Sequence, residues 1–288
     1  MVKNQTPLPE KKKSFALPFY LTTTMRALRF LSTGLATRFA LKLFFQPLAF
    51  PIPAREKPLR EESEKEFLQT PQGEKFTLFR QGQGKPKVMF LHGWSGRSSQ
   101  FFKLAELLSR DFEIFAIDAP AHGELQGPRT HMLSFVEAAK VVAEKYGAFY
   151  AAVGHSLGGM ALFNALDQGV SFKKMVLIGS PASVHNVVHD FCEKTAAGPK
   201  VAARILKYLE KRYALKMKDV STTTLSQKHN PPGLVIHDQH DQDVPVLNAR
   251  EINQAWPASE IIISEGLGHR RILMEAQINQ RIYEFLVN

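Results

Sequence analysis

The chain has 288 residues, a length typical of one large domain, and 44% of them are hydrophobic, enough for a core that needs no disulfide or metal. A charged fraction of 22% excludes a disordered chain or a coiled coil. The lone Cys192 cannot form an internal disulfide, and this gives no sign of an oxidising compartment. We therefore expect a cytoplasmic protein, with membrane association as the alternative.

The net charge of +10 is concentrated in two zones. Residues 1–65 contain 12 Lys/Arg against 5 Asp/Glu, and residues 185–230 contain 9 against 4. No RNA- or DNA-binding motif accompanies this charge, so nucleic acid is not an expected partner. Both zones are also rich in apolar residues, which fits an anionic membrane surface better.

Residues 1–65 are predicted to form a basic amphipathic helix followed by a proline-rich linker. The helix ends before Pro47, and Pro51 and Pro53 favour an extended chain. It is too polar to span a bilayer. We expect it to dock on its own domain, and peripheral membrane contact is the alternative. A signal peptide in Lys11–Met25 is not favoured, because the segment contains Pro18 and lacks a convincing cleavage site. The apolar stripe comprises Leu28, Leu31, Leu35, Phe39 and Leu43.

Strands and helices alternate through the rest of the chain, a pattern that predicts an α/β fold. The sheet should be mostly parallel with helices on both faces, and ligands should bind beyond the carboxyl ends of its strands. The predicted strands are Glu74–Arg80, Pro86–Leu91, Phe112–Ile117, Phe149–Val153, Lys174–Ile178, Leu234–His237 and Glu260–Ser264.

The most informative motif is Gly-His-Ser-Leu-Gly at residues 154–158, between an apolar strand and an alanine-rich helix. A Gly-x-Ser-x-Gly turn exposes its serine on a tight strand-to-helix bend. Ser156 is therefore the predicted nucleophile, and the backbone N–H of Leu157 points toward the place where an oxyanion would form.

A serine nucleophile needs a base, and the base needs a third group that orients it. His269 and Asp241 each follow a predicted strand, so both should reach the sheet edge that carries Ser156. Asp243 is the alternative acid, and Asp238 lies closer to its strand than expected. The acidic and histidine-rich loop 237–243 could also suggest a metal site, but no other segment supplies ligands at suitable spacing.

The order Ser156, Asp241, His269 resembles that of an α/β-hydrolase-fold serine hydrolase of the esterase or lipase type, across about residues 74–288. The resemblance implies a hydrolase domain at residues 66–288 with a small helical cap at about 182–231. It places the acid at Asp241, the first Asp of Asp-x-x-Val-Pro, although Asp238 stands where the family often has Gly. His-Gly-Trp at residues 92–94 resembles the family's oxyanion loop, and this implies that the N–H of Trp94 is the candidate for the second oxyanion donor.

Two further family motifs are predicted to be structural. Asp118, in Asp-Ala-Pro-Ala-His-Gly, resembles a family turn in which Ala121 replaces a glycine, and its carboxylate should bind local backbone amides. His92 should support the oxyanion loop through hydrogen bonds. The basic residues of the cap helix, expected over Val201–Leu215, should form a solvated outer face. Attraction of acidic substrates or lipid headgroups is their alternative role.

These features predict a serine hydrolase that cleaves carboxylic esters, or thioesters, of small molecules through an acyl-enzyme on Ser156. No cofactor or metal is expected. A membrane-surface lipase and a non-catalytic receptor on the same fold are the two alternatives.

Overall fold

A computed structural model describes residues 18–288, so the lysines at 11–13 and the rest of the segment considered as a signal peptide up to residue 17 lie outside the described residues. The described chain contains an eight-stranded sheet in the order β1-β2-β4-β3-β5-β6-β7-β8. The pairs β1–β2 and β2–β4 are antiparallel, and the other neighbouring pairs are parallel. The strands are β1 Glu64–Gln69, β2 Lys75–Gln81, β3 Lys87–Leu91, β4 Glu113–Asp118, β5 Phe149–His155, β6 Phe172–Ile178, β7 Gly233–Asp238 and β8 Ser259–Ser264.

Helices cover both faces of the sheet because its central strands are apolar on both sides. In β4, Phe115 and Ile117 join one core cluster, whereas Ile114 and Ala116 join the other. The helices are α1 Phe19–Leu31, α2 Thr33–Phe44, α3 Lys57–Glu62, α4 Phe102–Leu108, α5 Met132–Tyr146, α6 Leu157–Asp167, α7 Val184–Lys194, α8 Pro199–Tyr213, α9 Thr222–His229, α10 Leu247–Ala255, α11 Gly268–Arg271 and α12 Ala276–Val287.

The predicted α/β architecture is confirmed, and all seven predicted strands are present within a few residues of their expected ends. The prediction of an extended linker was wrong for the residues that follow Pro53. Residues 54–62 form a short 3₁₀ helix followed by α3, and β1 begins at Glu64, before the domain boundary expected at 65/66. Strand β1 was missed because it is an edge strand with a largely exposed, charged sequence, so it lacks the apolar alternation of a half-buried strand.

The single N-terminal helix is also corrected, because the chain forms two helices that meet at Ser32. Ser32 is extended, with φ −164° and ψ 127°, and its Oγ accepts a hydrogen bond from the N–H of Gly34 at 3.1 Å. Serine is a favoured N-cap, so this bond ends one helix and begins the next. No described helix is long and apolar enough to cross a membrane.

The break changes which face of the N-terminal segment is buried. Leu31 and Leu35 of the predicted stripe are 71% and 47% exposed, whereas Met25, Ala36 and Ala40 are fully buried. The two alanines, one helical turn apart, let α2 approach α8 closely. Helices α1 and α2 therefore pack on the cap and share a third hydrophobic cluster with it.

The segment predicted as a cap, residues 182–231, contains α7, α8 and α9. Helix α8 starts at Pro199, two residues earlier than expected, because proline is well suited to a first helical turn. Helix α9 packs against α6 and α10 rather than above the sheet edge. Helices α7 and α8, together with α2, line the cavity that reaches Ser156.

Candidate active site

Ser156 lies at the bend between β5 and α6, with φ 52° and ψ −123°. A non-glycine residue in this region is strained, and the surrounding contacts must hold it there. Its N–H donates to the carbonyl of Ile178 at 2.8 Å. A Cβ on Gly158 would collide with the carbonyl oxygens of Leu91 and His92, so glycine is required for α6 to begin so close to β3.

His269 and Asp241 meet at the carboxyl edge of the sheet. His269 Nδ1 lies 2.7 Å from Asp241 Oδ2, although 28 residues separate them in sequence. The carboxylate is 1% exposed and the imidazole 11% exposed. His269 and Ser156 line the same cleft, and no hydrogen bond between their side chains is formed within residues 18–288. Hydrogen bonds of this kind are often long in a substrate-free site.

The environment of Asp241 favours its charged form. Burial raises the pKa of this carboxyl, but hydrogen bonds from His237, His269 and the N–H of Val244 outweigh burial and hold the pKa well below its usual range. Oδ1 accepts from the N–H groups of Asp243 and Val244 at 2.8 and 2.9 Å. Oδ2 is consequently left facing His269.

The other two acids of the loop have different surroundings. Asp243 is 32% exposed, and its Oδ1 lies 4.0 Å from Lys194 Nζ. Asp238 accepts hydrogen bonds from Ser264 Oγ and from the N–H of Leu267 at 3.0 and 2.9 Å. It therefore ties β7 to the segment that carries His269. Among the described residues, no group of three His, Cys, Asp or Glu is placed to hold a metal ion.

The two predicted oxyanion donors lie on either side of Ser156. The backbone N–H groups of Trp94 and Leu157 donate to no acceptor among the described residues. A Cβ on Gly93 would lie 2.6 Å from Cβ of Ser156, which shows how closely the loop approaches the serine. Two free amides beside a serine are an arrangement that can bind an oxyanion.

Two buried histidines hold the loop that carries Trp94. His92 Nε2 accepts from the N–H of Ala119 at 3.0 Å, and its Nδ1 lies 2.7 Å from the carbonyl of Gly93. His122 Nε2 accepts from the N–H of Ser95 at 3.0 Å, and its Nδ1 lies 3.0 Å from the carbonyl of Pro120. Since Nε2 accepts in both rings, both are neutral with the proton on Nδ1. Burial, together with His92, lowers the pKa of His122 to about 3.

Asp118 and a second buried carboxylate fix the far end of this loop. Asp118 Oδ1 accepts from the N–H of Ser98 at 2.6 Å, and Arg60 lies 3.0 Å from Oδ2. Glu56 binds the Nε and Nη2 of Arg97 at 2.6 and 3.0 Å. Sequence reasoning missed Arg60, Glu56 and Arg97. The sequence contains one clue to this support, because Arg55 and Glu56 are charged residues in a proline-rich segment that has neither helical nor strand periodicity.

Two cavities meet at Ser156. The first, called here the inner chamber, has a volume of about 300 Å³ and lies under the cap. The second, the outer cleft, has a volume of about 980 Å³ and also contains His155 and His269. The surface of the inner chamber is mostly apolar, and its walls include Leu43, Phe44, Met160, Val187, Phe191 and Leu209. The polar residues at its wall, besides Ser156, are His131, Asp190, Lys194, Tyr213 and Asp243.

Comparison with known proteins gives two kinds of sequence match. A family model for the alpha/beta hydrolase fold matches residues 86–195. A pimeloyl-[acyl-carrier protein] methyl ester esterase of Nitrosomonas europaea is 24% identical over 229 residues, covering 65% of this chain and 90% of the relative. The uncharacterized hydrolase YugF of Bacillus subtilis is 25% identical over 233 residues, covering 66% and 85%.

Solved structures share the fold over most of the chain. An esterase of Pyrococcus furiosus matches with a TM-score of 0.63 and 17% identity, covering 84% of this chain and 96% of that one. An esterase of Exiguobacterium antarcticum matches with a TM-score of 0.60 and 15% identity, covering 77% and 99%. The sheet order and the family match identify the fold of the chain as the α/β-hydrolase fold, and the proteins it resembles include esterases.

Proposed function

We propose that the protein is a serine hydrolase that cleaves carboxylic esters through an acyl-enzyme on Ser156. The observation that carries this proposal is the 2.7 Å contact between His269 Nδ1 and Asp241 Oδ2 beside the strained serine bend. A carboxylate at Nδ1 leaves Nε2 of His269 available as the base. The three side chains thus supply a nucleophile, a base and an orienting acid.

The reaction follows from these positions. His269 Nε2 accepts the proton of Ser156 Oγ as the oxygen attacks the ester carbonyl, and Asp241 stabilises the resulting imidazolium. The N–H groups of Trp94 and Leu157 bind the oxyanion of the tetrahedral intermediate. The imidazolium then gives its proton to the leaving alcohol. Water hydrolyses the acyl-enzyme by the same proton transfers in reverse, so the balance requires no cofactor.

The inner chamber supports an apolar acyl group as the part of the substrate that remains on Ser156. A chamber lined by aliphatic and aromatic side chains favours hydrocarbon, because few of its groups can hydrogen-bond. The Nitrosomonas europaea relative is named for an acyl methyl ester, which agrees with this class of substrate. Thioesters of the same acyl groups are also candidates, since the attack on the carbonyl is the same.

Labelling with a fluorophosphonate probe tests the proposal. We expect the probe to modify the wild-type protein and not the Ser156→Ala variant. 4-Nitrophenyl esters of increasing acyl length should be hydrolysed by the wild type alone. A folded wild-type protein that neither reacts with the probe nor hydrolyses any of these esters would favour the alternative, a receptor on the same fold.

Peripheral contact with an anionic membrane is a second proposal, supported by the outer surface of α1 and α2. Phe30 is 91% and Leu31 is 71% exposed, and the exposed Arg26 and Arg38 lie on the same two helices. Apolar side chains beside cations are typical of interfacial helices.

Flotation with vesicles of phosphatidylglycerol tests this proposal, and the full chain should rise with the lipid. The Phe30→Ser/Leu31→Ser variant should not, and Phe67→Ser, at an exposed position of β1, is the control. Flotation unaffected by the double variant would reject this surface.

A further inference from the structure

The outer cleft carries more positive charge than its own carboxylates neutralise. Four cationic side chains line it, together with the carboxylates of Glu56 and Asp243. Glu56 is bound by Arg97, and Lys194 Nζ donates to the carbonyl of Asp243 at 2.6 Å and lies 4.0 Å from its carboxylate. The two cations that remain are Arg55 and Arg270.

Neither of these arginines has a carboxylate partner within the described part of the chain. Arg270 is exposed, and its guanidinium lies 5.6 Å from the centre of the Phe50 ring. Its charge also contributes, after burial and His269, to the low pKa of His155, the residue before Ser156. Arg270 therefore lies on the side of its short helix that faces the reaction centre.

The arrangement of the two cavities decides which part of a substrate would meet this charge. The inner chamber is mostly apolar and takes the acyl group, and the free N–H groups of Trp94 and Leu157 donate to the carbonyl oxygen. The outer cleft is a second cavity that reaches Ser156 and also contains His269, so we place the alcohol or thiol part of the substrate there. Arginine is suited to phosphate because its donors match two oxygens at once.

We propose that Arg55 and Arg270 form a leaving-group subsite for a phosphate-bearing alcohol or thiol. The proposal rests on the esterase function proposed above and names its substrate class. Esters with a small neutral leaving group would leave the subsite empty. The phosphate could belong to a glycerol phosphate headgroup or to a thiol such as coenzyme A.

A pair of octanoyl esters of similar size, one with an anionic and one with a neutral leaving group, tests the subsite, and the intrinsic difference in their reactivity cancels when variants are compared. The 4-sulfophenyl ester has an anionic leaving group, and the 4-sulfamoylphenyl ester is its neutral counterpart. We expect the wild type to prefer the anionic ester in kcat/KM, mainly through a lower KM. The Arg55→Ala/Arg270→Ala variant should lower that preference about ten-fold, and added salt should weaken it in the wild type.

The control is Arg38→Ala, which removes an exposed arginine of α2 that lines neither cavity and should leave the preference unchanged. The preference is a ratio of two kcat/KM values. A general loss of activity caused by substituting Arg270, which is next to His269, therefore does not change it. Hydrolysis of both esters with no preference, or with a preference that survives the double variant, overturns the subsite alone. Hydrolysis of neither ester overturns the esterase function as well.

Two natural types of leaving group are then compared. Octanoyl-coenzyme A hydrolysis that depends on both arginines assigns the phosphate to a thiol carrier. Hydrolysis of 1-octanoylglycerol 3-phosphate with the same dependence assigns it to a lipid headgroup. If neither compound is hydrolysed in an arginine-dependent way, the assignment to phosphate is wrong.

Discussion

Asp241 and Asp243 are two residues apart in one loop, yet their side chains have different surroundings. The Asp241 carboxylate is buried, accepts two backbone N–H groups and contacts His269. The Asp243 carboxylate is one-third exposed and faces Lys194. The difference arises because the chain turns back over Asp241, where the N–H groups of Asp243 and Val244 both donate to its Oδ1, so that the two side chains meet different neighbours.

This difference predicts unequal effects of two isosteric substitutions. Asp241→Asn should reduce kcat on 4-nitrophenyl esters about 10³- to 10⁴-fold, because an amide cannot hold His269 in the required tautomer or stabilise its cation. Asp243→Asn should reduce kcat less than ten-fold. Steady-state kinetics with both variants checks this. Equal losses, or a larger loss from Asp243→Asn, would assign the acid to Asp243 instead.

At the scale of elements, the N-terminal segment is part of the wall around the site. The Phe44 ring packs edge-on against Phe191 of the cap, with centroids 5.1 Å apart, and both line the inner chamber. Arg29 donates to the carbonyl of Ala196 at 2.7 Å, and the N–H of Leu48 donates to Ser95 Oγ at 2.8 Å. One segment thus contacts both the cap and the oxyanion loop.

Truncation of Phe44 should therefore change acyl selectivity. Phe44→Ala removes an aromatic ring from the chamber wall, so the ratio of kcat/KM for dodecanoyl over butanoyl 4-nitrophenyl esters should rise about ten-fold. Phe30→Ala, which truncates an exposed ring of the same segment, is the matched control. An unchanged ratio in Phe44→Ala would show that the N-terminal segment does not shape the acyl site.

For the molecule as a whole, buried neutral histidines link stability to pH. Burial lowers the pKa of His122 and of His155 to about 3, with further contributions from His92 and His269 respectively. In an unfolded chain a histidine has a pKa of about 6.5. The unfolded state therefore binds more protons between these two values. Each neutral imidazole makes its full contribution to the free energy of unfolding above pH 6.5, and that contribution is lost as the pH falls toward 3.

The predicted consequence is a fall in the free energy of unfolding below pH 6.5, with a slope of about 1.4 kcal/mol per pH unit for each such histidine. His155→Gln should make the slope shallower by about that amount between pH 6 and 5. Urea denaturation at several pH values measures it, and His240→Gln, at an exposed position, is the comparison. An identical slope in His155→Gln would mean that His155 does not remain neutral in the folded protein.

Local sequence alone was sufficient for the alternation of strands and helices and for the bend at Ser156. Apolar periodicity and flanking glycines involve only a few neighbouring residues, so they predict these features without knowledge of the rest of the chain. The helix break at Ser32 also has a local cause, because serine is a common N-cap. It was not predicted because the apolar residues on both sides of Ser32 fit one continuous helical stripe.

Only the tertiary structure decided which acid contacts His269, which face of the N-terminal helices is buried, and that Glu56 and Arg97 hold the end of the loop that carries Trp94. Glu56 and Arg97 are 41 residues apart. Contacts of this kind depend on how distant segments pack, and the buried side of α2 is set by the cap helix beside it. Sequence periodicity describes one element at a time, whereas these contacts require at least two elements in their final positions.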